Sequence, residues 1–97
     1  MTGEDIVVRL FRIRGRVQGV GFRAFVWRSA AELGIRGWVR NCRDGTVEVL
    51  AGASPSRLAF LEELLRQGSG WARVDGVDVT EEPAEELPAG FSVVYDR

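Results

Sequence analysis

The stretch GRVQGVGFR, residues 15–23, decides how this chain is read. It places Gly15, Gly19 and Gly21 within seven residues, between a β-branched run and an amphipathic one. Glycine takes positive φ without steric cost, so such a turn can aim successive N–H groups at one centre. A helix starting at Phe22 would add its own unbonded N–H groups and the positive end of its dipole. Arg23 lies one residue into that helix and carries a planar fork that grips two phosphate oxygens. Gly15, Arg16, Val17, Gln18, Gly19, Val20 and Gly21 therefore read as a phosphate-binding turn, with Arg23 as its cation. The glycines alone also fit a plain tight connection between strand and helix. The full string is the more specific signal.

The elements follow outward from this turn. Residues 6–14 are β-branched and apolar and read as a strand. Phe22, Phe25, Val26, Ala30 and Leu33 recur at helical spacing, and Gly34 suits the residue just past a helix end. Residues 35–41 and 46–51 read as strands joined at Asp44-Gly45, a strong hairpin signal. In the second of these, Val47 and Val49 alternate with Thr46 and Glu48, which predicts one buried face and one wet face. Ser54-Pro55 opens a second helix, with Leu58, Leu61 and Leu65 as its stripe and Gly68 as its end. Residues 71–80 form a fourth strand whose apolar phase slips near Asp75-Gly76, the mark of a bulge. Residues 81–90 are acidic, hold Pro83 and Pro88, and read as a loop before a short strand at 91–95.

The order is β-α-β-β-α-β with a short extra strand. That is the ferredoxin-like α+β sandwich: an antiparallel sheet with two helices on one face. Ninety-seven residues make one domain, residues 1–97. The pattern alone carries little about function, because this fold hosts many.

Composition removes several chemistries. There is no histidine, the commonest general base and metal ligand, and every one of the 13 basic residues is arginine. Schiff-base chemistry and a Walker-type lysine are therefore excluded. The single cysteine, Cys42, rules out an internal disulfide and a cysteine metal cluster, and without a histidine to activate it reads as a structural thiol. Residues 1–43 hold nine arginines against three acids, and residues 44–97 hold four against eleven. The basic half suits an anionic ligand, although folding can interleave the two halves. The opening MTGEDIVV lacks the order of a secretory signal, and no apolar run is long enough to span a membrane. A cytoplasmic location is expected. Trp27, Trp38 and Trp71 read as core or rim packing.

Asn41 is the second candidate. By the period of two it shares a side with Ile35, Gly37 and Val39. If that side faces the helices, Asn41 faces the layer that holds the glycine turn. Taken alone, it also fits ordinary hairpin chemistry.

GRVQGVGFR resembles the signature of the acylphosphatase family. So does Gly37-Trp38-Val39-Arg40-Asn41 followed by Asp44-Gly45-Thr46-Val47-Glu48-Val49, and Ala72-Arg73-Val74 is similar too. The likeness runs from about Val8 to Tyr95. It implies hydrolysis of the carboxyl–phosphate bond of acyl phosphates by a small, metal-free and cofactor-free enzyme. Arg23 would bind phosphate, Asn41 would position the attacking water, and the backbone of 15–21 would hold the phosphoryl oxygens. Phosphoryl transfer relies mainly on positioning and charge stabilisation, which suits a chain poor in conventional catalysts.

Gly68-Ser69-Gly70-Trp71 stands where relatives often carry a proline, and the tail Asp96-Arg97 departs from relatives whose terminal carboxylate pairs with the phosphate-binding arginine, which leaves Asp96, another acid or no acid to face Arg23. The expected partner is a small-molecule acyl phosphate, with no nucleic acid or membrane, and the expected state is a monomer. Two other readings remain: an RNA-binding or other phosphate-ligand module of the same fold, and a carbamoyl-phosphate-acting relative. Against RNA, the clustered strand aromatics of the RNA-binding signature are absent.

Overall fold

The computed structural model describes residues 5–94. The chain runs through β1 (Val7–Arg16), α1 (Phe22–Leu33), β2 (Arg36–Asn41), β3 (Val47–Ala53), α2 (Pro55–Gln67), β4 (Arg73–Glu82), a 3-10 turn at Ala84–Glu86, and β5 (Phe91–Val94). The sheet order is β4-β1-β3-β2-β5. Both helices pack on one face. Their buried Phe22, Val26, Ala30, Leu58, Leu61 and Leu65 meet Phe11 and Ile13 of β1, Val39 of β2, and Val47 and Val49 of β3 in one core. Among the described residues no helix is long and apolar enough to cross a membrane.

The local signals act as their chemistry predicts. Ser54 accepts the Arg57 N–H at 3.4 Å, with Pro55 at the first position of α2. The Gly68 N–H closes α2 on the Leu64 carbonyl. Each buried leucine of this stripe is worth about 2–5 kcal/mol against truncation to alanine.

The sheet is not wholly antiparallel. β1 pairs antiparallel with β3 and β4, and β2 antiparallel with β3, but β5 lies parallel to β2. β4 and β5 occupy opposite edges, so the segment between them must cross the sheet. It is not simple loop either. Glu81 and Glu82 extend β4, and Ala84–Glu86 forms a 3-10 turn. Leu87 then fills the space that a side chain on Gly52 of β3 would need. The Arg36 Nε donates to the Pro88 carbonyl at 3.0 Å, and the Gly37 N–H to the Gly90 carbonyl at 2.8 Å.

The alternation expected in β3 is absent: all seven of its residues are buried. The strand is central, and on the open face long side chains of its neighbours roof it. Glu48 lies in register with Arg12 on one side and Arg40 on the other. Its carboxylate accepts from the Arg12 Nη1 at 2.8 Å and from the Arg40 Nη2 at 2.7 Å. The three tryptophans do not all pack. Trp38 lies under the Arg40 guanidinium at 5.0 Å, whereas Trp71 is 86% exposed and lies outside β4.

The bulge falls where the phase slip placed it. Arg14 pairs with Gly76 and Gly15 with Val74, which leaves Asp75 as the additional residue of β4. Gly15 has φ 133°, and a Cβ there would collide with the Arg73 carbonyl. Gly15→Ala should therefore lower unfolding stability by at least about 2 kcal/mol, read from the denaturant midpoint.

The hairpin between β2 and β3 is held by Asp44. Its Oδ1 accepts from the Thr46 hydroxyl at 2.7 Å and from the Thr46 N–H at 3.0 Å, and Arg12 pairs with its other oxygen. The Thr46 hydroxyl, the Thr46 amide and Arg12 together lower the Asp44 pKa to about 2. A depressed pKa stabilises the fold above the ordinary carboxylate value and loses that contribution as pH falls through the folded value. The stability difference between wild type and Asp44→Asn should thus be flat above about pH 5 and shrink between about pH 4 and about 2, followed by chemical denaturation.

Candidate active site

β1 ends at Arg16 and α1 begins at Phe22. The N-cap of α1 is Gly21 with φ 80°, a left-handed conformation that only glycine takes cheaply. A glycine has no side chain to bond the first N–H groups of the helix, and none caps them here. No acidic residue sits in the first turn to meet the dipole. Among the described residues, the positive end of the helix is thus left without a side-chain cap.

That end opens into a cavity of about 310 Å³. Gly19, Gly21 and Val17 of the turn line it, as do Phe22, Arg23 and Ala24 of the first helical turn. Asn41 enters from the end of β2 and Val93 from β5. Val17 is fully buried beneath the turn and Arg23 is half-buried, with its Nη1 out of solvent. The Asn41 Oδ1 is buried and accepts no hydrogen bond from any described residue. Such an orphan acceptor costs about 1–3 kcal/mol, so an outside donor is the expected partner.

The structure divides the residues singled out in the sequence. Arg23 and Asn41 line one cavity, together with Val17, Gly19 and Gly21. Gly15 and Arg16 do not line it. Gly15 serves the β1–β4 bulge, and Arg16 pairs with Arg73 at the end of β1. Val20 packs partly against the core instead. Gln18 turns its side chain away to the β2–β3 hairpin. Asp96, with Tyr95 of the last predicted strand, lies outside the described residues. Val93 was not readable from the sequence, because its place follows from the parallel docking of β5, where it pairs with Val39.

Cys42 points to the other face. A second cavity of about 320 Å³ there is lined by Arg12, Arg40, Asn41, Cys42, Arg43 and Asp44. Hydrogen bonding to Asp44 raises the Arg12 pKa, and hydrogen bonding to Glu48 raises that of Arg40. Both guanidinium groups are thus committed to carboxylates on this face. Among the described residues no group of three His, Cys, Asp or Glu side chains is placed to hold a metal ion.

The acylphosphatase family model matches residues 9–93. An acylphosphatase of Nitratidesulfovibrio vulgaris is 49% identical over 89 residues, covering 90% of this chain and 89% of its own. The crystal structure of acylphosphatase from Bacillus subtilis is similar with a TM-score of 0.85 at 40% identity, covering 94% of this chain and 100% of its own. The structure of an acylphosphatase from Coxiella burnetii gives a TM-score of 0.88 at 33% identity, covering 97% of this chain and 100% of its own. With a matched core that runs from β1 to β5 and relatives this close over nearly their whole length, the chain belongs to the acylphosphatase family.

Proposed function

We propose that this protein hydrolyses acyl phosphates, turning an acyl phosphate dianion and water into a carboxylate and dihydrogen phosphate. The observation that carries this reading is the cavity shared by Arg23, the start of α1 with no side-chain cap, and an Asn41 oxygen that takes no bond from a described residue. In it the phosphoryl group sits on the N–H groups of the turn and of the first turn of α1. Arg23 grips two of its oxygens, and donors fixed in advance stabilise the charge that spreads over them in the transition state. Asn41 accepts a hydrogen bond from water and aims its oxygen at phosphorus, opposite the carboxylate.

Attack forms the new P–O bond as the bond from phosphorus to the carboxyl oxygen breaks, and the electron pair leaves with the carboxylate. An amide is too weak a base to take the water's proton at neutral pH, so that proton passes to a phosphoryl oxygen. No covalent enzyme intermediate and no metal enters these steps. The reading further takes residues 1–97 as one domain that acts as a cytoplasmic monomer on a small molecule. The open sheet face favours no nucleic-acid partner, because its arginines Arg12, Arg14 and Arg40 bond to Asp44, Asp78 and Glu48.

With benzoyl phosphate as substrate, Arg23→Ala should lower kcat/KM by about 10²–10³ and raise KM, while Asn41→Ala should lower kcat by a similar factor and leave KM nearly unchanged. Both variants should keep the wild-type circular dichroism spectrum. Full activity of either folded variant would remove that residue from the site. The wild-type rate should be the same with and without a strong chelator; a loss that added divalent metal restores would overturn metal independence.

A further inference from the structure

Gln18 belongs to the phosphate turn by position but not by what its side chain touches. Its Nε2 donates to the Cys42 carbonyl at 2.8 Å and to the Thr46 carbonyl at 2.9 Å. Both neighbours are acceptors, so the NH₂ end of the carboxamide must face them. The same two carbonyls close the β2–β3 hairpin: the Gly45 N–H donates to Cys42 O at 3.1 Å, and the Cys42 N–H to Thr46 O at 2.8 Å. One side-chain amide thus ties the turn between β1 and α1 to Cys42, the residue that follows Asn41, and to Thr46 across the hairpin.

This tie lies where the sheet offers none. The β1–β3 ladder stops at Ile13↔Val47, and the β2–β3 ladder stops at Asn41↔Val47. Beyond that last rung the phosphate turn and the hairpin run on side by side, without ladder pairing between them. Asn41 occupies the final rung of its strand, and its Oδ1 takes no bond from a described residue. Arg23 is anchored on the other side, in the first turn of α1.

We infer that Gln18 is a positioning residue, whose carboxamide sets the distance between the Asn41 oxygen and the phosphate cradle that holds Arg23. This rests on the hydrolytic reading above, since it concerns how water is aimed at phosphorus. A catalytic group displaced by about 1 Å can lose roughly 10²-fold in rate, so a clamp at this place acts on turnover rather than on phosphate affinity.

The test uses Gln18→Met, which keeps length and loses both donors, and Gln18→Glu, which puts a carboxylate against two carbonyl oxygens. Gln18→Met should lower kcat by about 10-fold or more, with KM and the inhibition constant of inorganic phosphate changed by less than about two-fold. In a double-mutant cycle the loss should vanish on an Asn41→Ala background, because nothing is left to position. Gln18→Glu should recover activity relative to wild type as pH falls, because the protonated acid regains one donor, while Gln18→Met should not. Independently of turnover, hydrogen exchange at the Cys42 and Gly45 amides should quicken in Gln18→Met, with the β1–β3 ladder unaffected.

Additive losses with Asn41→Ala, phosphate affinity that falls in step with kcat, or unchanged exchange at the hairpin would each overturn the proposal. An inactive wild type whose hairpin amides still depend on Gln18 would overturn the hydrolytic reading and leave the clamp standing.

Discussion

The site is organised by a shortage: among the described residues no side chain caps the first N–H groups of α1. A serine or aspartate at the cap would satisfy one of them and partly fill the space in front of the helix. Gly21 does neither, and its left-handed backbone swings the preceding turn around the helix axis so that Gly19 and Val17 wall the same space. The core beneath carries this arrangement. Phe22 and Val26 are fully buried under the start of the helix, so its axis cannot tilt to find other partners. An anion answers the deficit of acceptors and the positive helix end together.

The opposite face of the sheet solves a separate problem without reaching into the cavity. β3 is buried along its whole length although only one face carries helices. Glu48 holds the middle of the open face, clasped by an arginine from each neighbouring strand. An isolated surface ion pair is worth little, but this carboxylate is 9% exposed and has both oxygens engaged. Without the Glu48 charge, Arg12 would keep its pair with Asp44, while Arg40 would lose the carboxylate it bonds. The arginine-rich first half of the chain is thereby divided. Arg12, Arg14 and Arg40 meet acids on the open face, and Arg23 stands at the cavity on the other.

What the sequence conveyed well was local. The helix stripes, the Ser54-Pro55 start, the Asp44-Gly45 hairpin and the bulge at Asp75 each follow from chemistry within a few residues, and each is found. The side on which Asn41 lies followed from the period of two and from Val39 being core. Features that failed depend on distant neighbours. The wet face of β3 did not exist, because strand order decides what covers Glu48 and Leu50. The parallel β5, and with it Val93 at the cavity, hinge on a crossing over Gly52 that no local pattern encodes. In the turn itself, glycine spacing alone did not distinguish residues that line the cavity from Gly15, which is required by a strand on the far edge.

That last residue ties the site to the kinetics of folding. Gly15 lies at the bulge where β1 meets β4, and the pairing of these strands runs from Arg16↔Arg73 to Val8↔Glu82. Closing contacts so far apart in the chain costs loop entropy and is slow compared with forming α1 or the β2–β3 hairpin. The upstream end of the turn between β1 and α1 therefore takes its final course only once β4 has docked. A chain that has formed both helices and the hairpin already owns Arg23 and Asn41, yet lacks the backbone path that sets them around one point. The shape of the cavity thus depends on completion of the whole sheet, and not on the turn alone.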